Sequence, residues 1–421
     1  MSGPFAGITV VEFGQFVVVP FCAQLLADGG ARVIKVEPPQ GDGYRGWPDP
    51  LAPGLTRQFL IKNRGKESIA VNLGHSGASE VVDALISSAD VVLANLSPAA
   101  MVRHGLDYPR IAKINPRIVY GTVSAYGAIG PEAGRAGMDV VVQARSGLVS
   151  SLGAERAGVP LHSEVQVADY AAAMLLYGGI SSALFARTHT GKGQQVEVSL
   201  LGGALAVQNN ALGHASDRDQ WRTEFVTNHL PRLRGAGADK DEIGAARNQL
   251  RPDPPGHTAH YRVFRTSDGY LAIGAGSLPA RRRLVEAMGL AAELGTGDPA
   301  ELGQQLDTAL RQNTSRHWVN LLIDYDVPVA EVRHIDELLF DEHARAEGLI
   351  VDYEHPAAGS YRGLGPPIRL SDTPMTTSKP APSFAADTLN LLAELGFPAA
   401  KRDSLCTEGV VVDGSSAPFP D

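Results

Sequence analysis

The sequence predicts an α/β protein whose large domain is a doubly wound, Rossmann-like sheet, joined to a smaller α+β domain. Three observations carry this expectation. Short Val- and Ile-rich runs alternate with helical patterns through the N-terminal half, as in a mostly parallel sheet covered on both faces. A polar, mixed-charge stretch from 214 to 257 then breaks the alternation and ends in PDPPG, the composition of a linker. Beyond it, AHYRVFRTSDGYLAIGAG reads as a hairpin around Ser267-Asp268-Gly269, a turn signal between two strands. The chain is therefore divided into a large domain over 1–213, a linker or excursion over 214–257, a small domain over 258–334 and a segment over 335–421 that returns to the large domain.

Each element has its own signal. Residues 7–12 (GITVVE) read as a buried strand, and Pro20 to Asp28 as a helix stopped by Gly29-Gly30. Ala31 to Glu37 is a second strand, ended by Pro38-Pro39. Residues 40–66 are Gly/Pro-rich without period, and loops of that length usually serve function. Alternation resumes with a strand at 68–71, a helix at 78–88, a strand at 89–94, a short helix at 109–115 and a strand at 117–123. Residues 137–150 read as one helix, 194–199 as a strand and 200–212 as a helix. Further on, helices are expected at 279–289, 299–312, 314–323 and 335–349, a β-rich stretch at 349–370 and a last helix at 384–396. The Gly/Ser/Pro-rich tail from 407 reads as frayed. Open α/β sheets bind ligands beyond the carboxyl ends of their strands, which here nominates the loops at 13–19, 38–66, 95–98 and 124–135.

Bulk properties narrow the function. At 421 residues with 44% apolar and 20% charged residues, the chain suits two or three globular domains. A net charge of −9 argues against a broad nucleic-acid surface. Cys22 and Cys406 lie far apart with no metal-ligand spacing, so neither a disulfide framework nor a metal site is expected, and a cytoplasmic setting is. The N-terminal apolar stretch lacks a basic lead-in and is interrupted by Glu12, Gln15 and Pro20, so neither a signal peptide nor a membrane span is expected there.

Several motifs fall to context. Gly41, Gly43 and Gly46 spell GxGxxG, but Pro38-Pro39 separate them from the strand and Trp47-Pro48 follow where a helix should open. No HExxH or GxSxG occurs. His257 and His260 sit in a Pro-rich turn and are expected at the surface. Arg281-Arg282-Arg283 reads as a solvated helix face. Lys62, Arg64 and Lys66 in IKNRGK form a basic cluster in a candidate ligand loop, either solvated or touching phosphate.

One stretch stands apart. In PLHSEVQVADYAAAMLLYGGISSALFAR, Asp169, the only carboxylate between Glu164 and Glu197, heads an apolar helix of about five turns. Asp is a preferred N-cap. It is also a competent nucleophile when a helix dipole keeps it ionised in an apolar setting. The spacing leaves both readings open.

In order along nearly the whole chain, GITVVEFGQFVVVP, ARVIKVEPPQGD, KNRGKESIAVNL, ADVVLANLSPAAMVRHGLDY, NPRIVYGTVSAYG, GMDVVVQARSGL, VADYAAAM and RTHTGKGQQVEVSLL resemble the family III CoA-transferases, the carnitine- and bile-acid-inducible family. YRVFRTSDGYLAIGAG and VPVAEVRHIDELLFDEHARAEGLI extend the resemblance. It implies that Asp169 attacks an acyl-CoA thioester, forms a mixed anhydride and then an aspartyl-CoA thioester, and passes CoA to a carboxylic acid. It implies CoA contacts at Val17 and Val18, at Val71, Asn72 and Leu73, at Asn95, Leu96, Ser97 and Arg103, and at Ser124, Ala125 and Tyr126. Acyl-CoA is then a substrate rather than a tightly bound cofactor, no metal is needed, and an interlocked homodimer is expected. The glycine-bearing stretch Gly274 to Ser277 is a candidate loop near the acyl group. Val17-Val18 replace a polar residue of the formate/oxalate members, Pro38 stands at their arginine and Gly74 at their lysine, which argues against those acids. The sibling racemases carry a histidine in a GHDINY-like stretch where this chain has Met138 in GMDVVV. An α-methylacyl-CoA racemase is therefore the runner-up, and a catalytically silent CoA-binding protein the third reading.

Overall fold

The computed structural model of the chain describes residues 3–152, 154–251, 259–376, 379–415 and 418–419. It divides into two compact units, Met1–Gly213 with Glu342–Asp421, and His214–Asp341.

The first unit is built on a seven-stranded sheet. Its parallel strands are β1 (Thr9–Phe13), β2 (Arg32–Glu37), β3 (Lys66–Val71), β4 (Val91–Ala94), β5 (Val119–Ser124) and β6 (Gln194–Ser199). Their spatial order is 3-2-1-4-5-6, the order of a doubly wound dinucleotide-type fold, with its switch point between β1 and β4. Strand alternation explains the two covered faces. Val10, Val33, Val91, Leu93 and Val119 point into one core with helix α1 (Val18–Asp28), whereas Val11, Ile34, Val36, Ile69 and Val92 point into a second core on the opposite face.

The apolar helix flagged by the sequence runs from Val167 to Thr190 and is called α2 here. It stops at Gly191, which adopts φ 69, a left-handed conformation that glycine takes without strain. Its 24 residues span about 36 Å, against about 20 Å for the six residues of β6. The carboxyl-terminal end of α2 lies level with the strand beginnings, because Arg187 reaches the carbonyls of Asp90 and Arg117 just before β4 and β5. The surplus length therefore projects at the N-terminal end, beyond the carboxyl edge of the sheet. Close packing holds the helix there. A Cβ on Gly203 would lie 2.7 Å from the backbone N of Ala172, and one on Gly121 would lie 2.9 Å from Ile180. Among the described residues α2 is the one helix long and apolar enough to cross a membrane, yet Ala168, Ala172, Leu176 and Ile180 are fully buried in the core. Met174, Leu175 and Phe185 are exposed on another side.

The second unit holds a three-stranded antiparallel sheet of Tyr261–Arg265, Tyr270–Gly274 and Val329–Glu331, with the expected hairpin between the first two. Helices Leu278–Ala287, Pro299–Leu310 and Ser315–Asp324 share a core with it.

Several expectations are corrected. Residues 214–257, expected as a linker or excursion, carry helices from Gln220 to Gly235 and from Lys240 to Leu250 and fall in the second unit. The second of these helices starts at a capping box, in which Asp239 and Glu242 satisfy each other's backbone N–H groups. His257 lies outside the described residues, and His260 is 4% exposed, not at the surface. Residues 137–150 form two helices, Asp139–Arg145 and Leu148–Leu152, separated at Gly147, whose φ is 82. The tail is not frayed throughout: after an unforeseen helix, Ala399–Thr407, residues Val411–Val412 form an antiparallel edge strand on β3.

Candidate active site

The switch point between β1 and β4 is locked by one side chain. The Asn95 amide donates to the Gln15 carbonyl at 2.9 Å, and its Oδ1 accepts the Gln15 N–H at 3.1 Å. The next residue, Phe16, adopts φ 67, a costly conformation for a bulky side chain that is typically held at functional loops. Its ring meets Tyr44 edge-on at 5.3 Å. Gly43 makes the approach possible, since a Cβ there would lie 2.7 Å from the Phe16 ring. The GxGxxG glycines thus serve a 3-10 turn, Gly43–Gly46, capped by Asp42. They do not form a dinucleotide loop.

Asp169 sits beside this turn, on the projecting end of α2. It is not the N-cap. Gln166 holds that position, and Asp169 is the third helical residue. The cap comes from elsewhere: buried Asp139 accepts the N–H of Ala168 at 2.8 Å and of Asp169 at 3.1 Å through Oδ1. Gln143 donates to the other Asp139 oxygen and pins the approaching segment by accepting the Ser163 N–H at 2.9 Å. With the helix end already satisfied, the Asp169 carboxylate is free of capping duty. Among the described residues no protein group hydrogen-bonds it.

The electrostatics follow from this arrangement. Burial first, and the like charge of Asp139 second, push Asp169 up to about 7, while Lys62 pulls it down. Its neighbour Tyr170 packs into an apolar cluster with Tyr44, Phe59 and Leu60 and crosses Phe21 edge-on at 5.0 Å. A half-buried carboxylate at a helix N-terminus in an aromatic setting suits nucleophilic chemistry near neutral pH. Asp139→Asn keeps an acceptor for the helix end but removes the like charge. It is expected to move the acid limb of the pH–rate profile down while leaving the melting temperature nearly unchanged, as read from profiles and melts of the two proteins. Asp139→Ala removes the cap and is expected to cost about 1–2 kcal/mol.

The basic cluster Lys62, Arg64 and Lys66 is neither solvated nor exposed to a phosphate. All three residues are buried. Arg64 pairs with Asp28 at 2.6 Å, and Lys66 with Glu12 at 2.7 Å. Lys35 bridges Glu12 at 3.0 Å and Asp42 at 2.8 Å, and Arg45 meets Glu37 at 2.7 Å. These ions knit the ends of β1, β2 and β3 to the loop over 42–56. They were hidden in the sequence because buried and solvated lysines look alike there.

The other candidate residues gather at the carboxyl ends of parallel strands. Val17 and Val18 follow β1, Val71, Asn72 and Leu73 end β3, Asn95, Leu96 and Ser97 follow β4, and Ser124, Ala125 and Tyr126 end β5. The side chains of Val17, Val18, Val71 and Ala125 are buried, leaving only their backbone to offer a ligand. Ser97 caps helix Pro98–Arg103, Asn72 Oδ1 accepts the Gly74 N–H at 3.2 Å, and Ser124 Oγ accepts the Gly127 N–H at 2.9 Å. Arg103 is exposed and forms no ion pair among the described residues. Sequence reasoning missed Asp139, Trp47, whose ring crosses Tyr44 at 5.5 Å, and Arg135, which stands 5.6 Å over the Tyr126 ring. GMDVVV carried the signal for Asp139, but read only for an absent histidine. Gly274 to Ser277 closes a strand of the second unit, where Ser277 caps the following helix.

Comparison with known proteins agrees with this fold. The model of CoA-transferase family III matches residues 5–388. The chain is 29% identical to a mouse succinyl-CoA:glutarate CoA-transferase, over 97% of this chain and 90% of the relative. It is 30% identical to a formyl-CoA:oxalate CoA-transferase of Rhodopseudomonas palustris strain HaA2, over 94% of this chain and 95% of the relative. Among solved structures, a Mycobacterium tuberculosis protein superposes with TM-score 0.75 at 25% identity, covering 93% of this chain and 99% of that one. A CAIB/BAIF family protein from Brucella suis gives 0.71 at 27% identity, covering 94% and 100%.

Proposed function

The chain belongs to CoA-transferase family III, and on that premise we propose that Asp169 is the nucleophile that carries CoA from an acyl-CoA thioester to a carboxylic acid. The Asp169 carboxylate attacks the thioester carbonyl, the C–S bond breaks, and CoA leaves as thiolate, giving an acyl-aspartyl anhydride. The thiolate attacks the aspartyl carbonyl, expelling the donor acid as carboxylate and leaving an aspartyl-CoA thioester. An acceptor carboxylate attacks that carbonyl and releases the thiolate. The thiolate then takes the acceptor's acyl group from the second anhydride and restores the Asp169 carboxylate. No net proton moves, and each step exchanges acyl species of comparable reactivity.

One observation supports this reading above the rest. The helix end is capped by Asp139, so Asp169 stands unpartnered at the carboxyl edge of a parallel sheet. Val17, Val71, Asn95 and Tyr126 border the same edge, and exposed Arg103 is the candidate cation for the phosphates. The alternative, epimerisation of an α-methylacyl-CoA, loses its base, because Met138 stands where the racemases carry histidine. Glutarate, succinate and oxalate are acids of the relatives; for this chain a small carboxylic acid is the acceptor class. A homodimer fits the exposed Met174, Leu175 and Phe185 on α2, a face suited to a second copy.

Mass spectrometry of the protein mixed with acyl-CoA and quenched in hydroxylamine is expected to show a hydroxamate at Asp169. Its absence with every acyl-CoA of a broad panel would defeat the reading. The pH dependence is also fixed in sign. Because burial raises Asp169 to about 7, the nucleophile is protonated below that value. The kcat/KM for acyl-CoA is expected to rise through pH 7, not through the ordinary carboxylate range near about 4.

A further inference from the structure

The buried cations of the first unit follow a rule with one exception. Lys35, Arg45, Arg64, Lys66 and Arg187 each have a carboxylate within 3.0 Å. Lys62 is 1% exposed and, among the described residues, has none. Its ammonium donates to Gln58 Oε1 at 2.8 Å and lies 4.9 Å above the Tyr44 ring. Burying an ion without a counter-ion is costly, so an unpaired buried ammonium calls for an anion that comes and goes.

The surroundings say where that anion stands. Lys62 lies in the helix Arg57–Asn63, whose Phe59 and Leu60 share an apolar cluster with Tyr44 of the 43–46 turn and Tyr170 of α2. Two carboxylates act on Lys62 across this cluster, Asp42 and Asp169. Asp42 is already engaged by Lys35 at 2.8 Å. Arg45, stacked 3.7 Å from the Phe59 ring, is engaged by Glu37. Asp169, next to Tyr170 of this cluster, is therefore the uncommitted one of the two charges, and Asp139 adds a like charge to it. This partner disappears during the reaction proposed above: once Asp169 is acylated or thioesterified it is neutral, and Lys62 is left without an anion.

We propose that Lys62 is the residue that makes the aspartyl-CoA intermediate selective for carboxylate acceptors, drawing an anionic nucleophile to the Asp169 carbonyl in place of the charge Asp169 has lost. The inference rests on Asp169 being the nucleophile. A neutral nucleophile gains only at the developing oxyanion and is not itself drawn in by the ammonium, so Lys62 biases the intermediate towards transfer and against hydrolysis. When the second anhydride collapses, the charge returns to Asp169.

The test is a competition. Aspartyl-CoA enzyme is formed from acyl-CoA and freed of small molecules, then divided between a carboxylate acceptor and neutral hydroxylamine at pH 7. Lys62→Met is expected to lower the carboxylate-to-hydroxylamine capture ratio by about thirtyfold, the size expected for losing one charge at close range in a partly screened site. Lys62→Arg is expected to keep most of the ratio. The variant is loaded at pH 9, where Asp169 is ionised without help from Lys62. An unchanged ratio in Lys62→Met, or no loading at pH 9 by a variant that melts like the parent, would overturn the proposal. The unmodified enzyme supplies an arm free of folding effects. Burial lowers Lys62 to about 8 while Asp169 is ionised, and the neutral Asp169 of the intermediate removes one of the charges that hold it up, so the capture ratio is expected to fall with rising pH, with a midpoint below 8; a ratio flat from pH 6 to 9 would also overturn it. If the unmodified enzyme forms no aspartyl adduct at all, the nucleophile assignment fails instead, a separate outcome.

Discussion

Asp169→Asn is expected to lower CoA transfer by about 10⁴-fold or more, since in the mechanism proposed above no other group replaces the covalent nucleophile. The measurement is exchange of a labelled acid into the acyl-CoA pool. The same substitution is expected to make the protein more stable. An aspartate raised to about 7 in the folded state is harder to ionise there than in the unfolded chain. The wild type therefore loses stability as pH climbs from about 4, and the loss levels off above about 7. Asparagine carries no such penalty. The gain in melting temperature should thus be absent in acid, grow across that window and then level off. Activity lost with stability gained is the mark of a site that holds an unfavourable charge for chemistry. A parallel loss of both would identify Asp169 as structural.

The largest stability effect is expected at Arg45. It meets Glu37 through two bonds of 2.7 Å, also donates to the carbonyls of Gly54 and Pro382, and is 2% exposed. Arg45→Met leaves Glu37 buried without its main partner, which costs about 3–5 kcal/mol. The sign against pH is specific. Burial alone would raise Glu37, but Arg45 overrides it and holds the carboxyl at about 2. In the wild type that contribution is complete above about 4.5 and is lost as pH falls through about 2. In Arg45→Met the unpaired carboxylate can be relieved by a proton, so the deficit against wild type should shrink in acid. Denaturant midpoints across pH measure it. Arg45→Met with Glu37→Gln should recover part of the loss, as removal of both charges usually does.

Most of the sheet was legible because buried parallel strands announce themselves as continuous β-branched runs, as in TVVEF and RVIKVE. The strand order was not, since it depends on which runs lie side by side. The candidate residues were legible as positions at strand ends, yet their duties were not. Asn95 binds the Gln15 backbone, Ser97 caps a helix, and Ser124 holds a turn. Asp169 was legible as a lone acid at the head of an apolar helix, but its freedom from capping depends on Asp139, thirty residues earlier. Lys62, Arg64 and Lys66 look the same in sequence, and only packing separates two paired ions from one unpaired ion. Val411–Val412 is too short for a periodic signal and becomes a strand because β3 offers it an edge.

That last pairing bears on how the protein is made. Val411 meets Val71, so the outer edge of the sheet is covered by a segment synthesised 340 residues after it. On a ribosome adding roughly 5–20 residues per second, β3 waits on the order of tens of seconds for its partner. During that interval the apolar edge Ile69-Ala70-Val71 presents unpaired backbone groups, a template for joining other nascent chains. Contacts this distant in sequence also form slowly. The yield of folded enzyme should thus hinge on how quickly Val411–Val412 is delivered to that edge, a kinetic dependence set by topology and not by the stability of the finished fold.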